Sequence, residues 1–166
     1  MRLIIVTQDD PFYLPENIEY FLDGLSPDDK VVAAVVLNVS PFGKKESFSK
    51  KAVKTFNIFG LRFFVNYALR FVLSKLILKR SVISSFERKN IEIVSLQRSI
   101  NSICSLETLK QFKPDMLISI AGNEIYRRPL LDLAEFGCLN LHTGMLPKYR
   151  GLMPSFWALK NNEEKI

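Results

Sequence analysis

Residues Val31-Val32-Ala33-Ala34-Val35-Val36-Leu37 form an uninterrupted apolar run, rich in β-branched side chains and too short for a helix of ordinary length. A strand with one wet face alternates apolar and polar residues; this run does not, so it reads as a strand buried on both faces. Such strands belong to parallel sheets with helices on each side. The rest of the chain fits that scheme. Strands are expected at Arg2–Thr7, Ile91–Leu96, Met116–Ile120 and Cys138–His142. Helices are expected at about Pro15–Leu25, Ser47–Arg80 with a break at Gly60, Leu106–Phe112, Arg127–Ala134 and Ser155–Lys160. Ser-Pro and Gly interrupt regular structure over Asn38–Gly43. Strands alternating with helices predict an α/β domain with a mainly parallel sheet and flanking helices. With 166 residues and no repeat or linker, the chain reads as one domain, residues 1–166.

In such a sheet, ligands bind beyond the C-terminal strand ends. Asn140 and His142 lie at one such end, two residues apart, so their side chains are expected to face one cleft. His142 is the single histidine of the chain. An imidazole can carry a proton near neutral pH. A carboxamide can donate to an oxyanion as a carbonyl turns tetrahedral. No Ser or Cys forms a recognised nucleophile elbow, so the pair suits direct acyl transfer to an amine. Read alone, Asn-x-His serves equally as a structural pair.

The stretch that follows decides more. Asn140-Leu141-His142-Thr143-Gly144-Met145-Leu146-Pro147-Lys148-Tyr149-Arg150-Gly151-Leu152-Met153-Pro154 resembles the formyltransferase signature Asn-x-His-x-x-x-Leu-Pro-x-Tyr/Trp-Arg-Gly-x-x-Pro without a gap. Phe112-Lys113-Pro114-Asp115-Met116-Leu117-Ile118-Ser119 resembles a strand of the same family, and the likeness is clear from about Ile91 to Ile166. The resemblance implies a Rossmann-like fold and 10-formyltetrahydrofolate as formyl donor. It gives Asn140 the oxygen of the adding carbonyl and His142 the proton, or a second oxyanion contact. It places the pterin against backbone groups of Gly122, Asn123, Glu124, Ile125 and Tyr126, and a cis bond at Leu146-Pro147. The acceptor it implies is a small-molecule amine, such as an amino sugar nucleotide, or methionyl-tRNA. Thr143-Gly144, where many relatives have Pro-Ser or Ala-Ser, inclines slightly to the sugar class.

Two departures matter. The family's third catalytic residue, an Asp, falls beyond Ile166, so residues 1–166 are expected to be an incomplete N-terminal catalytic domain. On its own, such a piece is expected to bind folate weakly, transfer little formyl group and self-associate through an open strand edge. A non-catalytic scaffold is the competing reading. The first loop, Thr7-Gln8-Asp9-Asp10-Pro11-Phe12, carries two carboxylates that would repel a phosphate, which disfavours a phosphoribosyl acceptor. Contact with an ammonium is one role for them; an ordinary acidic turn is favoured.

Charge is uneven. From Lys44 to Lys89 there are 12 Lys and Arg against 2 Asp and Glu, a local +10 within a total of +6, so the remainder carries −4. Phe56, Phe59, Phe63, Phe64 and Phe71 share this stretch with a polar stripe of Arg62, Asn66, Arg70 and Ser74. A membrane span is rejected because Arg62, Arg70 and Lys75 interrupt it. The favoured reading is a crossover helix whose apolar side fills the core. An interfacial helix on anionic membrane and a tRNA contact are the alternatives, and burial of the Phe rings discriminates. Cys104 and Cys138 show no ligand-like spacing, and two thiols in 166 residues point to a cytoplasmic chain.

Overall fold

A computed structural model describes residues 1–10, 12–37, 47–74, 80–150 and 154–164. The elements run β1 (Arg2–Gln8), α1 (Leu14–Asp23), β2 (Lys30–Leu37), α2 (Phe48–Val72), α3 (Val82–Arg88), β3 (Ile93–Val94), α4 (Ile103–Lys110), β4 (Met116–Ile120), α5 (Arg128–Leu131), β5 (Cys138–Leu141) and α6 (Pro154–Lys160). The strands form one sheet of order β3-β2-β1-β4-β5, and every pairing is parallel. This is the Rossmann-like α/β architecture expected.

Alternation along the strands makes two cores. Ile4, Val6, Ala33 and Val35 face α4 and α5, packing with Leu109, Leu130 and Ala134. Leu3, Ile5, Val31 and Ala34 face the other way, onto Ile18 of α1 and Val82 and Phe86 of α3. β2 is thus buried on both faces, as its unbroken apolar run requires. Each fully buried Ile or Val of β1 contributes on the order of 1.5–3 kcal/mol relative to exposure.

Several boundaries differ from expectation. The short helix α3 is unforeseen: Ser81 caps it, and Asp9 accepts from the Ser81 hydroxyl (3.1 Å) and the Val82 N–H (3.2 Å). Asp10 accepts from Phe12 N (2.7 Å) and Tyr13 N (3.2 Å) at the entry to α1. Asp9 thus satisfies a helix-start donor of α3 and Asp10 closes the turn ahead of α1, in keeping with the acidic-turn reading. α4 begins earlier than expected because the Ser102 hydroxyl caps it, accepting from Ser105 N. β3 and α5 are shorter than expected. Residues 38–46 and 75–79, expected as a break and as the end of the long helix, lie outside the described residues.

The larger correction concerns α2. Gly60 adopts φ 77°, ψ 174°, and breaks the helix where expected. However, no α2 residue belongs to either core, and Phe56, Phe59 and Phe63 are exposed. The expected core-filling crossover is not formed. α3 and α1 cover that sheet face, and α2 meets the domain through contacts such as Phe12 against Tyr67 (ring centroids 5.0 Å).

Candidate active site

The strand order reverses between β1 and β4, which opens a crevice beyond their C-terminal ends. Three segments follow the C-terminal ends of these neighbouring strands: the acidic turn after β1, the 121–127 loop after β4, and the 142–150 loop after β5.

The 121–127 loop leaves β4 through Ala121, at φ 56°. It is clamped from outside. Asn101 donates Nδ2–H to the Ile125 carbonyl (2.9 Å) and accepts from Arg127 N at Oδ1 (2.8 Å). Glu124 Oε2 accepts from the Ser99 hydroxyl (2.5 Å) and Ile100 N (3.1 Å). Of these clamp residues only Glu124 carries a sequence signal, as part of the loop; Ser99 and Asn101 show only a turn-like composition. Gly122 is needed for space. A Cβ there would stand 2.6 Å from Ser119 Oγ and 2.8 Å from the Tyr126 hydroxyl oxygen. Among the described residues the buried Tyr126 hydroxyl has no partner in hydrogen-bonding geometry. Burial pushes its phenol far above the ordinary tyrosine range, offset in part by the neighbouring Ser119 hydroxyl.

β5 pairs with β4 so that Cys138 lies opposite Leu117 and Asn140 opposite Ser119. Asn140 therefore stands on the sheet beside the strand that feeds the 121–127 loop. Its side chain is exposed and makes no hydrogen bond among the described residues. Cys138 lies on the same face by alternation, but burial pushes its thiol up and disfavours a thiolate nucleophile.

His142 follows directly. Its Nε2 lies 2.5 Å from the Tyr149 carbonyl oxygen. A carbonyl can only accept, so Nε2 carries the proton, and in the neutral ring Nδ1 keeps its lone pair. Tyr149 is itself held. Its hydroxyl donates to Glu163 Oε1 (2.7 Å) and accepts from Asn161 Nδ2 (3.1 Å), and its N–H donates to the Met145 carbonyl (2.9 Å). Lys148 pairs with the same Glu163 carboxylate. These contacts lower the Glu163 pKa, Lys148 most and Tyr149 next. The Ser155 hydroxyl donates to the Thr143 carbonyl (2.9 Å), fastening α6 to the loop. The Leu146-Pro147 bond is cis. Tyr149 stood inside the sequence motif; Glu163 carried no local signal.

A Formyl transferase family profile matches residues 65–166, well over half of the chain. The chain belongs to the formyl transferase family. Methionyl-tRNA formyltransferase of Clostridium tetani is 40% identical over 77 residues, 46% of this chain and 25% of that protein. The Clostridium beijerinckii enzyme of the same name is 44% identical over 59 residues, 36% of this chain and 19% of its own length. The matched segment thus spans about a quarter or less of these relatives. Among solved structures, glycinamide ribonucleotide transformylase 1 of Symbiobacterium toebii superimposes with TM-score 0.57 at 13% identity, over 97% of this chain and 60% of that one. Phosphoribosylglycinamide formyltransferase of Anaplasma phagocytophilum gives 0.60 at 13%, over 97% and 58%. These two likenesses concern the fold.

Proposed function

We propose that the protein moves a formyl group from 10-formyltetrahydrofolate to a primary amine. The observation that carries this reading is the His142–Tyr149 contact: it fixes the imidazole with Nδ1 as an acceptor, two residues after a carboxamide, that of Asn140, with no hydrogen bond among the described residues. The 121–127 loop suits the donor. The N–H groups of Gly122, Glu124, Ile125 and Tyr126 have no backbone acceptor among the described residues, and the loop is held in shape from behind by Asn101 and Glu124. A flat heterocycle with an amide-like edge needs such a row of fixed peptide groups. When bound, the folate supplies an activated formyl carbon and an amine leaving group.

The chain's residues then have separate tasks. Asn140 Nδ2–H donates to the formyl oxygen as negative charge develops there on amine addition. His142 Nδ1 accepts the proton released by the attacking nitrogen, and the Tyr149 carbonyl stabilises the resulting imidazolium at Nε2. The same proton then serves the departing nitrogen. Cys138, poorly ionised, leaves direct transfer as the favoured route.

The acceptor amine belongs to methionyl-tRNA or to an amino sugar nucleotide. The named relatives favour the first. Thr143-Gly144 inclines to the second. Formyl transfer by the full-length protein to each acceptor, with 10-formyltetrahydrofolate as donor, tests the reading. Activity on neither, with the fold intact, would leave the non-catalytic scaffold in its place.

A further inference from the structure

α2 lies outside both cores and carries five cations, Lys50, Lys51, Lys54, Arg62 and Arg70, with no Asp or Glu. After the break at Gly60, its side chains sort into four rows, one of them Phe63 and Tyr67, whose rings stack 5.9 Å apart. Phe64, Ala68 and Phe71 are half-buried; Phe64 packs edge-on against Phe56 of the same helix (5.8 Å), and the Phe12 ring lies 6.3 Å from that of Phe71. Leu61, Val65, Leu69 and Val72, spaced four, four and three residues apart, form an apolar seam on another side. They are 64%, 46%, 63% and 43% exposed. Arg62, Asn66 and Arg70 run beside that seam, exposed, and neither arginine is ion-paired among the described residues.

We propose that this seam lies on an anionic lipid surface, with Arg62 and Arg70 at headgroup level. The choice of occupant follows from charge and chemistry together. Arg62 and Arg70, which have no ion pair among the described residues, select a negative partner. A continuous Leu/Val seam selects one that also offers hydrocarbon. A nucleic-acid backbone would use the cations and leave the seam wet. A second copy of this chain would bring five like charges toward five. Residues 61–72 span only about 18 Å, less than a bilayer core of about 30 Å, so the helix lies in the surface plane. No described helix is long and apolar enough to cross a membrane.

The test is co-sedimentation of the full chain with phosphatidylcholine vesicles, with and without phosphatidylserine. Binding is expected only to the acidic vesicles, and added salt is expected to weaken it. Arg62→Gln/Arg70→Gln should weaken it on the order of tenfold or more. Leu61→Ser/Leu69→Ser should weaken it at least as far, on the order of tenfold or more. Both pairs are exposed, so circular dichroism should show the fold kept; should a variant misfold, the lipid and salt dependence of the unaltered chain decides. No binding to acidic vesicles, equal binding to neutral ones, or an unaffected Leu61→Ser/Leu69→Ser variant overturns the proposal. So does a dimer that the seam variant dissociates without any vesicle binding. RNA binding that survives the seam variant, again without vesicle binding, also overturns it.

Discussion

Gly144→Ala is the substitution with the sharpest expected consequence. Gly144 lies two residues after His142, and its φ is not in the left-handed region, so the backbone itself would accept alanine. Space would not. A Cβ at Gly144 would stand 2.7 Å from Pro154 Cβ and 3.2 Å from Tyr149 Cβ. Carbon atoms rest at about 3.5–4.0 Å, so the first contact is short by on the order of 1 Å. Neither neighbour can swing aside, because both are β-carbons fixed to their backbones. The 142–150 loop and α6 must therefore separate. Overpacking of this kind costs about 1–3 kcal/mol. For a chain of this size that is a fall of roughly 2–12 °C in Tm. The same movement carries the Tyr149 carbonyl away from His142, and a misplacement near 1 Å can cost on the order of a hundredfold in rate. Gly24→Ala is the control: its Cβ would meet its nearest neighbour, the Tyr20 carbonyl oxygen, at 3.4 Å, and its φ is −87°. Thermal melts of the two variants, with kcat/KM measured alongside, check the argument. A Gly144→Ala protein as stable and as active as Gly24→Ala would refute it.

Further outcomes follow from the same geometry. His142→Ala should lower kcat on the order of a hundredfold with donor affinity nearly unchanged, because proton transfer acts at the transition state while the 121–127 loop holds the donor; an unchanged kcat would make His142 structural. Tyr126→Phe removes a buried hydroxyl without a partner among the described residues, so Tm should hold or rise by a few degrees, and a marked fall would show that the hydroxyl is satisfied after all. Glu163 has a lowered pKa, so its contribution is present above the ordinary carboxylate range and is lost as pH falls through its folded value. Glu163→Gln should therefore flatten the acid limb of stability between those two points; identical acid melts for both proteins would remove Glu163 as the anchor of Tyr149.

Local pattern in the sequence was sufficient for the sheet. The apolar run of β2, the Lys113-Pro114-Asp115 stop before β4 and the Gly137 start of β5 each act within a few residues, so strand positions and their parallel arrangement were readable. The Asn140-x-His142 motif at a strand end was readable for the same reason. What escaped depends on residues distant in the chain. Ser81, the cap of α3, donates to Asp9 across 72 residues. Asn101 clamps Ile125 across 24. Glu163 fixes Tyr149 across 14, and through it the side of the imidazole that bears the proton. The outward position of α2 was hidden too. Its phenylalanines look like core residues by composition, and only the packing of α1 and α3 against the sheet shows that the core is complete without them. Apolar periodicity tells a helix which side avoids water; whether a sheet, another chain or a lipid surface covers that side is set by which elements reach the core first.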